Sequence, residues 1–109
     1  MNPDHLDYAQ SALDSFIFSA IQRIAHSGDF VYRFTISEAE IKSALGVSRV
    51  KATMMEEYAG FFKSKGLEAT YDSSFSAVDI VLNLNTAVLN ARQAAALGDA
   101  MGIFHAERT

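Results

Sequence analysis

The side chains able to do chemistry are few and scattered. Histidines stand at positions 5, 26 and 105, and none forms the HxxxH pair that sets two imidazoles on one helix face for a metal. His5 and Asp7 come nearest to a pair, and surface or helix-end imidazoles are the expectation for all three. The acidic pairs Glu38/Glu40 and Glu56/Glu57 fall on polar helix faces, where carboxylates are solvated charge rather than a general acid and base. No GxSxG nucleophile elbow, GxxxxGKS/T phosphate loop or GxGxxG turn occurs, and Gly98 and Gly102 lie inside a predicted helix rather than after a strand. Zero cysteines exclude disulfides, thiolate metal sites and cysteine nucleophiles, and fit a reducing compartment. The expectation is a protein that is not an enzyme and carries no cofactor and no metal.

Charge is distributed more informatively. The net charge of −4 argues against a protein that coats nucleic acid indiscriminately. Residues 1–30 hold four acids and one base, and residues 67–109 hold five acids and two bases, whereas residues 31–66 hold six bases and four acids. Basic character therefore concentrates in the middle of the chain.

The elements that position this middle segment follow from periodicity. Half of the 109 residues are apolar, a fifth are charged and one is proline, the composition of a single folded domain spanning 1–109. From Asp4 to His26 the apolar residues recur at helical spacing, with Leu13, Ile17, Ala20, Ile21 and Ile24 in one stripe, and Gly28 breaks the helix. Residues 30–36 alternate Phe30, Tyr32, Phe34 and Ile36 against Arg33 and Thr35, a strand. Ser37 and Glu40 form a capping box that starts a short helix at 38, with Ile41, Ala44 and Leu45 as its buried side and Gly46 as its stop. Ser48 then serves as the expected N-cap of a third helix, after a turn of two or three residues, that runs to Lys65. Leu67–Asp72 and Val78–Leu84 alternate as two strands of an antiparallel hairpin joined through Ser73–Ser76. Phe75, in that polar turn, is expected either to fold back onto the core or to make a contact. Asn85 or Thr86 is the expected cap of an alanine-rich last helix reaching about His105. The order is α-β-α-α-β-β-α, an α+β fold.

The stretch EIKSALGVSRVKATMM, residues 40–55, resembles the helix-turn-helix of DNA-binding regulators, with Ile41, Leu45, Gly46, Val47, Ser48 and Arg49 standing at the positions of that family's IxxxLGVSR run. A glycine permits the sharp turn, Val47 is expected to plug the angle between the helices, and Ser48 to cap the second helix. With a helix and strand before it and a hairpin after it, the chain resembles a winged helix over about 5–84. The resemblance implies that Ser48, Arg49, Lys51 and Thr53 face duplex DNA, with Arg49 or Lys51 donating to guanine and Ser48 or Thr53 reaching phosphate or a base.

Two readings stay open. The first is a small DNA-binding regulator of the cytoplasm. The second is a non-enzymatic adaptor, inhibitor or assembly protein of the phage or mobile-element type, acting through protein contacts. Under either, the apolar terminal helices lead to the expectation of a homodimer, betrayed by exposure of Phe18, Met101 or Phe104. The acidic start MNPDHLDYAQ and the lack of a long apolar run lead to the expectation of no export and no membrane insertion.

Overall fold

A computed structural model describes residues 1–108. It is an α+β domain of four helices and a three-stranded antiparallel sheet, in the chain order α1 (Pro3–Ser27), β1 (Val31–Ser37), α2 (Glu38–Leu45), α3 (Ala52–Ser64), β2 (Glu68–Asp72), β3 (Ala77–Asn83) and α4 (Ala91–Arg108). Asn2 caps α1 by accepting from the backbone N–H of His5 at 3.0 Å, and Pro3 occupies the first turn, where no N–H is needed. At the other end Gly28 is left-handed, with φ 71°, and its N–H donates to the Ile24 carbonyl. The ring of Phe104 lies directly against Gly28, so a side chain there would displace it.

The sheet order is β1-β3-β2. β3 is therefore central, paired with β1 from Val31↔Asn83 to Ser37↔Ala77 and with β2 from Glu68↔Val81 to Asp72↔Ala77. Its alternation sends Val78, Ile80 and Leu82 into the core and leaves Asp79 in solvent. On that face lie Met55, Tyr58 and Phe62 of α3, Ile36 of β1 and Ala69 of β2, all buried. Ile17 and Ile24 close the core from α1, and Phe16 stacks on Phe34 with centroids 4.4 Å apart. Each of the large side chains so removed from water contributes roughly 1.5–3 kcal/mol.

Two boundaries differ from the sequence expectations. α3 begins at Ala52 rather than just after Ser48, for reasons given below. α4 begins at Ala91, not at 86. Asn90 and Gln93 make a reciprocal cap there, the Gln93 N–H donating to Asn90 Oδ1 at 2.8 Å and the Asn90 N–H to Gln93 Oε1 at 2.9 Å. Asn85 and Thr86 are used instead in the turn that leaves β3, where both their N–H groups bond back to Asn83. Ala44 is exposed, so Ile41 alone is fully buried in α2. Of the three side chains expected to betray a dimer face, Phe18 is exposed, Met101 is half-buried against the core, and Phe104 is half-buried with its ring against Gly28. No helix among the described residues is long and apolar enough to cross a membrane.

His5 and Tyr58 form the buried polar contact of the core. His5 Nδ1 and the Tyr58 hydroxyl are 2.7 Å apart. Burial first, and the neighbouring Tyr8 second, push the Tyr58 hydroxyl well above the ordinary tyrosine range. The fold thus holds the neutral phenol. An unfolded tyrosine ionises near about pH 10, so the stability Tyr58 contributes is fully present below that pH and is lost as pH rises beyond it toward the raised folded value. Tyr58→Phe keeps the ring but leaves His5 without its partner. Denaturant titrations should show a loss of about 1–3 kcal/mol at neutral pH and a shallower decline of stability above pH ~10 than the unsubstituted chain. An alkaline slope equal to that of the unsubstituted chain would remove Tyr58 as its source.

Candidate nucleic-acid interface

The segment from Ser37 to Thr53 is built around two caps and one long-range clamp. Ser37 Oγ accepts from the Glu40 N–H at 3.1 Å while the Glu40 carboxylate takes the Ser37 N–H at 3.3 Å, so α2 starts where its sequence dictates. Gly46 ends it in the left-handed region, φ 65°, with its N–H on the Lys42 carbonyl. From there the chain does not turn straight into α3. Residues 47–51 form a loop in which Val50 is buried and its N–H donates to Glu38 Oε1 at 3.4 Å.

That burial explains why Ser48 does not cap α3. The apolar Val50 is drawn into the core as part of an irregular segment, and Lys51, with φ −67° and ψ 154°, becomes the residue before the helix. No side chain caps the helix there. Val50 joins the core, whereas Val47, the residue expected to plug the angle between the helices, is exposed. Ser48, Arg49 and Lys51 therefore sit on the loop, and Thr53 alone of the four expected residues lies on the first turn of α3. All four are exposed.

Glu38 joins this loop to the hairpin. Its own N–H donates to the Ser76 carbonyl at 2.8 Å, while its carboxylate takes Val50. The turn at 73–76 is thereby fixed beside the start of α2, with Ser76 in the left-handed region at φ 47° and the Ser74 N–H held by Asp72 Oδ1. Phe75, at 80 % exposure, does not fold back onto the core. The capping box was legible in the sequence, but the reach of Glu38 to a residue twelve positions on was not.

The Glu38 carboxylate bonds the backbone of the loop at Val50, between its two cations. Among the described residues neither Arg49 nor Lys51 pairs with an acid. The ion pair present there joins the Met1 amino group to Glu57 at 3.0 Å, on the second turn of α3. A helix start that no side chain caps, with two cations beside it, favours an anion. The last helix leaves this surface free. Its leading segment crosses the far end of α3, where the Val88 N–H meets the Lys65 carbonyl at 2.8 Å, and α4 itself lies along α1, with Gln93 donating to Asp14 and Arg108 to the His26 carbonyl. The three histidines remain apart, and no group of metal-ligating side chains forms among the described residues.

Removing the clamp is expected to loosen the loop without unfolding the domain. Glu38→Ala should speed amide exchange at Val50 and lower stability by about 1 kcal/mol. Unchanged exchange at Val50 would show that side-chain burial alone holds the loop. Compared with protein-family models, curated proteins and solved structures, the chain matches none.

Proposed function

We propose that this chain is a small DNA-binding regulator that meets duplex DNA with the loop after α2 and the first turn of α3. The observation that carries the reading is the exposed pair Arg49 and Lys51, without an ion pair among the described residues, at a helix start that no side chain caps, with Ser48 and Thr53 beside them. Support also comes from the connectivity. A helix, a strand, two helices and a hairpin, with sheet order β1-β3-β2, is the arrangement expected of a winged helix. The turn at 73–76 is held against α2 and takes the place of the wing. Arg49 and Lys51 supply phosphate or guanine contacts, and the hydroxyls of Ser48 and Thr53 add shorter ones. With a net charge of −4 and few cations on the face, binding rests on local rather than global attraction.

A second reading has its own observation. Phe75 stands 80 % exposed at the hairpin tip, the position from which an adaptor or inhibitor would insert an aromatic anchor into a protein partner. The two readings part in a single titration. Fluorescence anisotropy against mixed genomic fragments at two salt concentrations should show binding that weakens as salt rises. Arg49→Ala and Lys51→Ala should each cost about 1–3 kcal/mol of that affinity with the thermal transition unchanged, because neither side chain is buried or paired. Salt-insensitive binding, or none, would overturn the DNA reading and leave the adaptor.

A further inference from the structure

α4 is eighteen residues long, yet Ala100 is its one fully buried residue. Leu97 and Met101 turn toward the core and are half-buried, and Phe104, also half-buried, lies against Gly28. The side of α4 that borders α1 differs in kind. Ile103 is 50 % exposed there, Val88 just ahead of the helix 59 %, and Phe18 across from it on α1 60 %. The two helices run parallel, Gln93 meeting Asp14 at one end and Arg108 meeting His26 at the other. Between them lie two adjoining depressions floored by Ile21 and Ala96, with Phe18 and Arg92 at one end and Asp99 and Ile103 at the other. The molecule is correspondingly drawn out. Its radius of gyration, 15.2 Å, exceeds the roughly 13 Å of a compact domain of this length.

Two charges of opposite sign stand on this face. Among the described residues neither the Arg92 nor the Asp99 side chain has a hydrogen bond or an ion pair. They lie about two turns apart on one face of α4, equally spaced about Ala95 and Ala96. We infer that this groove seats a second copy of the chain, with the two α4 helices antiparallel about a two-fold axis at Ala95 and Ala96. In that arrangement Arg92 of each copy meets Asp99 of the other. The alanines fall at the crossing, where no long side chain holds the axes apart. A parallel pairing would instead set Arg92 on Arg92. The pattern is self-complementary, which a surface for an unrelated protein has no need to be.

Sedimentation velocity with single and mixed variants tests this register. The unsubstituted chain is expected at twice its 11.9 kDa mass. Arg92→Asp and Asp99→Arg each place like charges together twice in a homodimer, and each should weaken self-association by about 100-fold or more. Mixing the two variants makes both cross contacts opposite in sign again, so a mixed dimer should re-form. That recovery requires each variant to be folded, and circular dichroism checks the same point independently. An unsubstituted chain that stays at 11.9 kDa throughout the micromolar range would overturn the inference. So would folded variants that remain homodimeric, or that fail to pair when mixed.

Discussion

The position of β3 governs the rest of the molecule. It is the strand with a neighbour on both sides, and the residues it sends inward, Val78, Ile80 and Leu82, are the layer against which α3 packs. Because side chains alternate with a period of two, a slip of one residue would turn all three into solvent, so the register is strongly fixed. That register sets Ser37, Ala77 and Asp72 in one row. The last residue of β1 is then beside the hairpin turn, and α2 must begin there. The hydrogen bond from the Glu38 N–H to Ser76 follows from this placement, as does the reach of the Glu38 carboxylate to Val50.

The opposite end of the sheet is arranged by the same row of pairs. Val31 faces Asn83, so α1 ends and the segment toward α4 begins on that side. The Leu84 N–H bonds to the Phe30 carbonyl, and the chain crosses the last turn of α3 before joining α1. α3 thus has two unlike ends. Its C-terminal end is covered by residues 84–90, while its start, with Arg49 and Lys51 alongside, stays open. The Glu38 carboxylate meets the backbone of this loop at Val50, but among the described residues neither Arg49 nor Lys51 forms an ion pair with it.

α4 lies along α1, which itself closes one side of the core. α1 has one strongly apolar stripe and buries it, whereas α4 carries alanine, glycine and larger apolar residues around most of its circumference. A helix of that kind satisfies only part of its apolar surface against a single neighbour. Phe104 under Gly28 and Arg108 over the Phe104 ring, at 4.5 Å, fix its outer end. Its remaining face carries Arg92 and Asp99, which have no ion pair among the described residues.

The local signals in the sequence determined most of the elements. Alternation in 30–36 and 78–84, the helical stripe from Leu13 to Ile24, the Ser37–Glu40 box and the stop at Gly46 all act within a few residues, and each stands in the structure as the sequence implies. The Asn90–Gln93 cap was equally local, but Asn85 and Thr86 offered competing caps, and only the turn that consumes them on Asn83 excludes those. Tertiary structure decided the candidate site. Ser48 is a good cap by type, yet the burial of Val50 and its bond to Glu38 delay α3 to Ala52. These partners are brought together by the sheet register rather than by neighbouring sequence. The His5–Tyr58 contact arises in the same way, across residues far apart in the chain, because α1 and α3 must bury their apolar faces on one core.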